Sequence, residues 1–155
     1  MIVARIIMLD AGPLGLASMP PSKIPAARFH AWLRDIEAAR AAVFIPALAD
    51  YEVRRELLRI QAWSRVNRLD RLATRLTVLG VSNAALLKAA EFWAIVRRAG
   101  KPTADAQALD ADCILAAQAS LIGRPGDVVT IASTNVGHLN RFPGIDAREW
   151  ASIVA

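Results

Sequence analysis

Apolar positions along this chain fall into two periods. The run Ile2-Val3-Ala4-Arg5-Ile6-Ile7-Met8-Leu9 is short and β-branched and is stopped by Ala11-Gly12-Pro13, which predicts a buried first strand. Val43-Phe44-Ile45, closed by Pro46, predicts a second, Leu76 to Val81 a third, and Val128 to Ala132 a fourth. A short last strand is expected within Ile145–Ile153. Between these runs the apolar positions recur at helical spacing. Phe29, Trp32, Leu33 and Ile36 mark one face of a helix from about Pro25, a residue suited to a first helical position, to Arg40. Ala47 to about Trp63 is helical, with Leu48, Tyr51, Leu58 and Ala62 sharing an inner side, and Arg65 to Arg75 continues it. Ser82 or Asn83 caps a helix through Arg98 that Gly100 ends. Asp105 to Ile122 contains the very apolar stretch Cys113 to Leu121, expected to be buried. Residues 12–24, rich in glycine and proline, read as a turn and loop.

Strands alternating with helices predict a three-layer α/β/α domain. Its central sheet is expected to have four to five mainly parallel strands. No repeat or linker interrupts the pattern, so one domain over residues 1–155 is the economical reading. A hydrophobic content of 55% excludes a disordered chain. No apolar segment reaches the ~20 residues of a membrane helix. The interrupted N-terminal run is a poor signal peptide, and the single cysteine, Cys113, excludes an internal disulfide. A cytoplasmic protein without a membrane partner is expected. The net charge of +5 comes mostly from arginine. Such a surface attracts phosphate backbones, and it is equally what a GC-rich genome produces.

Candidate chemistry begins with Asp10, a carboxylate ending the first strand. In a parallel sheet, strand ends and following helix starts meet on one edge, where ligands bind. Asp10, Glu52 and the Ser133-Thr134-Asn135 segment are expected there. Asp110 and Asp112, at the start of the apolar helix, reach it if that helix points its N-terminus that way. Gathered carboxylates repel unless a cation neutralises them, and Mg²⁺ and Mn²⁺ take oxygen ligands, bound water and phosphate oxygens. Each acid alone has a plainer reading: Asp10 as a cap, Glu52 as a solvated helix residue, Asp112 as an N-cap.

The motifs resemble the PIN domain, in particular VapC-type ribonuclease toxins. The first is the strand Ile7-Met8-Leu9-Asp10-Ala11. The second is Ile45-Pro46 leading to Glu52 in a basic helix. The third is Asp112-Cys113-Ile114-Leu115-Ala116-Ala117. The fourth is Thr130-Ile131-Ala132-Ser133-Thr134-Asn135, followed by His138, Arg141, Phe142 and Trp150. The resemblance spans nearly the whole chain. It implies a PIN-like fold and a metal-dependent endoribonuclease with Asp10, Glu52 and Asp112 binding Mg²⁺ or Mn²⁺ and Asn135 completing the catalytic set. Ser133 and Asp110 would support the site, and Arg54 and Arg55 would contact RNA. Family members often carry a fourth acid after the last strand; here Ser133, Asn135 and His138 stand there instead. The alternative is therefore a non-catalytic PIN-like module that binds RNA or protein. The resemblance further implies a small antitoxin protein that masks the pocket, and a homodimer. Trp32, Trp63 and Trp93 belong either to the core or to a dimer interface. His138 reads as a structural histidine before a general acid, and Cys113 as packing. Arg68, Arg71 and Arg75 share a helical face, either as a phosphate track or as a solvated surface.

Overall fold

The computed structural model describes residues 2–100 and 106–155. Five strands form one sheet: β1 (Arg5–Leu9), β2 (Ala42–Pro46), β3 (Thr77–Leu79), β4 (Val128–Ser133) and β5 (Ala147–Glu149). Their spatial order is β3-β2-β1-β4-β5, and every neighbouring pair is parallel. The helices are α1 (Ala11–Ser18), α2 (Ile24–Ala38), α3 (Ala47–Arg59), α4 (Trp63–Arg75), α5 (Asn83–Arg98), α6 (Ala106–Ile122) and the single turn α7 (Val136–Leu139).

Alternation along the strands divides the core between two faces. Ile7, Leu9, Val43 and Ile45 point to one side, where Leu14, Phe29, Leu33, Leu57 and Leu69 of α1 to α4 cover them. Met8 and Ile131 point to the other, against Leu115 and Ala119 of α6 and Leu139 of α7. Phe92 and Val96 of α5 then pack on Leu109, Cys113 and Ala116 of α6. The runs of β1, β2 and β4 are mostly apolar because both faces are covered, as in parallel sheets generally, whereas the edge strands β3 and β5 are largely exposed. The result is the expected three-layer arrangement. Among the described residues, no helix is long and apolar enough to cross a membrane.

Several elements differ from the sequence pattern. The expected loop after β1 is helical for eight residues. Asp10 caps this α1 by accepting from the Ala11 N–H, and Leu14 N–H donates to the Asp10 carbonyl at 3.0 Å. Pro13 lies in the first turn, whose N–H groups have no helical acceptor in any case. Gly12 reflects close packing: a Cβ there would meet Thr134 Oγ1 at 2.7 Å.

The long helix expected beyond Ala47 is two helices. Gln61 turns left-handed at φ 55°, and Ala62 N–H reaches back to the Leu57 carbonyl at 2.9 Å while Gln61 N–H reaches Leu58 at 3.1 Å. This is the Schellman arrangement, closed here without glycine. Arg40, at φ 62°, ends α2 in the same way, with Ala41 N–H on Ile36. The expected inner side of α3 is also revised. Ala49 and Leu57 are buried, whereas Tyr51 and Leu58 are exposed.

The N-cap at Ser82 and the left-handed Gly100 after α5 follow expectation. Asp105 lies outside the described residues, and α6 is described from Ala106. Trp32 packs with Phe29 and Trp150, and its indole N–H donates to the Ile153 carbonyl at 2.8 Å. Trp63 and Trp93 stay exposed. Beside that cluster, the Arg5 guanidinium donates to the Val154 carbonyl, and Ala4 pairs with Asp127 and Val128 ahead of β4.

Candidate active site

Strand order places a crevice between the C-terminal ends of β1 and β4. From β1 the sheet grows through β2 and β3 on one side and through β4 and β5 on the other. Connections leave β1 and β4 in opposite directions at such a switch point, and side chains from both can face a ligand there. Asp10 follows β1 and Ser133 closes β4, one register step beyond the Leu9–Ala132 pair. The Ser133 hydroxyl donates to Asp10 Oδ2 at 2.7 Å and accepts from the Asn135 N–H at 2.8 Å. The other oxygen, Oδ1, accepts from Ala11 N–H at 2.7 Å. Asp10 is thus held on both oxygens, by its own helix start and by β4.

A cleft of about 420 Å³ opens over this point, lined by Asp10, Glu52, Asp110, Asp112, Asn135 and Arg55 among others. Glu52 arrives from the second turn of α3. Burial raises its pKa above the usual carboxylate value, the Asp10 charge raises it further, and Arg55 opposes both. Asp112 stands on the second turn of α6, well inside the helix; the N-cap reading of this residue is therefore set aside. Its carboxyl is pushed up to about 6 by burial first, then by Asp10, with Arg141 lowering it and Glu52 raising it. The three acids therefore act on one another. Asp110 is exposed at the rim.

Other residues have more specific places than the sequence could give. Ser133 is fully buried and acts by holding Asp10 rather than by facing the cleft. Arg54 is bound by Asp50 through contacts of 2.8 and 3.1 Å and by Asp70 of α4 at 2.8 Å. Its guanidinium ties α3 to α4, which leaves Arg55 as the member of the pair that faces the cleft. Arg55 lies over the Tyr51 ring at 5.1 Å from its centroid. His138 Nδ1 stands 3.8 Å from Asp112 Oδ2, too far for a hydrogen bond and within ion-pair reach when the ring is protonated. Arg141, unremarked in the sequence beyond its motif, donates to the His138 carbonyl at 3.0 Å and supplies positive charge beside Asp112. His30 bonds the Met19 carbonyl at 3.0 Å, remote from these acids. The Cys113 thiol is buried and pushed up to about 11, first by burial and then by Asp110 and Asp112, which suits packing and opposes a nucleophilic role.

Among the described residues, no three histidine, cysteine, aspartate or glutamate side chains stand as a ready-made cage for a metal ion. The donor chemistry nevertheless fits a hard divalent cation. Asp10, Glu52 and Asp112 offer oxygen donors, and ionisation at Glu52 and Asp112 is penalised by burial and by the neighbouring Asp10 charge. Mg²⁺ is commonly held by one or two carboxylates together with waters and phosphate oxygens, and it does not need a full protein cage.

No protein-family model and no curated protein matches the chain. Solved structures do match. One chain of the VapBC2 complex of Rickettsia felis, bound to a DNA fragment from its promoter, superimposes at a TM-score of 0.69. The two are 16% identical, over 92% of this chain and 97% of that one. A chain of FitAcB from Neisseria gonorrhoeae gives 0.68 at 18% identity, over 95% and 99%. A chain of DNA-bound VapBC from Salmonella typhimurium gives 0.63 at 20%, over 96% and 99%. The resemblance to VapC-type PIN domains holds at the level of the fold: a parallel five-stranded sheet between helical layers.

Proposed function

We propose that this protein is a metal-dependent endoribonuclease and the toxin partner of a small antitoxin protein. The observation that carries the reading is the convergence of Asp10, Glu52 and Asp112 on one cleft at the switch point of the sheet, with ionisation opposed at Glu52 and Asp112. Asp10, Glu52 and Asp112 would hold Mg²⁺ or Mn²⁺. When bound, the ion supplies neutralising charge and lowers the pKa of its water. Asp10 is pre-oriented by Ser133 and Ala11, so little reorganisation is needed when a cation or phosphate arrives. Asn135 offers a neutral amide to the same cleft, and Asp110 a rim carboxylate. Arg55 places positive charge in a cleft whose other charged lining residues are carboxylates. The similarity to chains of VapBC and FitAcB complexes supports the toxin part of the reading. A cytoplasmic homodimer belongs to the same proposal.

Asp10→Asn tests it. The variant keeps one acceptor oxygen, for the Ala11 N–H, turns an amide NH2 toward the Ser133 hydroxyl oxygen, and removes the charge. The expected outcome is loss of Mn²⁺-dependent cleavage of single-stranded RNA with an unchanged circular dichroism spectrum. Equal cleavage by the variant and the parent would reject the assignment. RNA binding without any cleavage by the parent would favour the non-catalytic module.

A further inference from the structure

A second cleft, of about 530 Å³, lies between α2 and α4. His30, Arg34, Arg68, Arg71 and Arg75 line it. Arg75 pairs with Glu37 at 3.4 Å. Among the described residues, the guanidinium groups of Arg34, Arg68 and Arg71 have no hydrogen-bond or ion-pair partner. Like charges gathered on facing helices are unfavourable unless an anion sits between them.

A line of arginines links this cleft to the acidic one. The acidic cleft and a neighbouring hollow share Ala11, Glu52 and Arg55. That hollow is also lined by Arg65 of α4. Arg65 donates to Ser18 Oγ at 2.9 Å and to the Gly15 carbonyl at 3.2 Å, so its position is fixed. Arg68, Arg71 and Arg75 follow it along α4. At 1.5 Å per residue these steps advance roughly 4.5–6 Å each.

We propose that the α2–α4 cleft is a phosphate-binding site that holds a strand of RNA leaving the acidic cleft by way of Arg55 and Arg65. This rests on the ribonuclease reading for the identity of the strand. The cleft contains no phenylalanine, tyrosine or tryptophan, and the His30 imidazole is tied to the Met19 carbonyl, so its four arginines dominate and the contact is to the backbone. Its apolar lining is Ala17, Pro21 and Leu72, which offers little to the side-chain anchors of a docking peptide. Binding there is therefore salt-sensitive and nearly independent of sequence.

The test compares Asp10→Asn protein, silent in cleavage, with the same protein carrying Arg68→Ala and Arg71→Ala. Anisotropy of a labelled long single-stranded RNA and of a labelled RNA trimer is followed across salt concentrations. Two lost phosphate contacts should lower the slope of log K against log salt by about 1.4 and weaken the long RNA about tenfold at low salt. The trimer should bind both proteins alike. Lysine at both positions should restore the slope. An unchanged slope and affinity for the long RNA would overturn the proposal. So would loss of binding to polyglutamate with RNA binding unaffected, which would assign the cleft to an acidic peptide. Trimer cleavage by the parent chain reports on the nuclease reading separately, so the two can fail independently.

Discussion

At the scale of single residues, Ser133 connects the sheet to the cleft. Its side chain is buried, and its hydroxyl joins Asp10 to the Asn135 backbone. Ser133→Ala would leave the Asn135 N–H without this acceptor and Asp10 with one restraint fewer. A stability loss of about 1–2 kcal/mol is expected in urea titration. If Asp10 holds the proposed ion, removing its outer partner should also weaken Mn²⁺ binding about tenfold or more by calorimetry. Unchanged Mn²⁺ affinity would refute the positioning role. Asp112 governs a second expectation. Its folded pKa of about 6 lies above the ordinary 3.8, so the folded state keeps a proton that the unfolded chain releases. Stability from this group is full below pH ~4 and is lost as pH rises through ~6. The metal-free protein should therefore lose on the order of 2 kcal/mol from this source between those limits. Added Mg²⁺ or Mn²⁺ should raise Tm at pH 7 more than at pH 5. Scanning calorimetry in chelator checks the sign, and a Tm contribution that rises with pH across this window would contradict it.

At the scale of elements, two helices end without the usual stop residue, and one of these ends was hard to read. Arg40 and Gln61 occupy the left-handed position of Schellman caps, where glycine is the usual resident. Neither place carries the usual glycine; the end of α2 near Arg40 was still legible where its apolar spacing stops, whereas α3 and α4 looked continuous. Glycine at either position removes a left-handed penalty of roughly 1–2 kcal/mol and adds unfolded-state entropy that takes part of it back. Arg40→Gly and Gln61→Gly are each expected to stabilise the fold by about 0.5–1 kcal/mol. A higher urea midpoint at constant m would show this, and a lower one would mean that the side chains make compensating contacts. Helix α1 was hidden for the opposite reason. Its Ala-Gly-Pro-Leu-Gly start carries every turn signal, yet Asp10 caps it and packing of Leu14 and Ala17 into the core holds it. Arg54 was misleading in a third way. Its charge looked available until Asp70, sixteen positions later, came to face it across two helices.

At the scale of the molecule, the sheet and the gathering of acids were legible, because strand ends in a parallel sheet must share an edge. Asp10, Glu52, Asp112 and Asn135 line the cleft that this rule anticipates. Arg141 and the tie between Ser133 and Asp10 were not legible as geometry, since both depend on how the segment after β4 folds back. The basic cleft was half legible: the spacing of Arg68, Arg71 and Arg75 was visible, but their meeting with Arg34 and His30 on α2 was not.

The contact between Arg5 and the Val154 carbonyl has a topological consequence. It brings the stretch that opens β1 and the stretch that follows β5 together at the N-terminal rim of the sheet, while the acids occupy the C-terminal rim. A few residues linking the stretch after Val154 to the stretch before Arg5 would close residues 5–154 into a ring without disturbing the cleft. The ring could then be cut at the exposed turn around Gly126, which sits at the same rim ahead of β4. That turn lies at the rim opposite the acids. The acids depend on which strands are adjacent, and not on which of them the ribosome makes first.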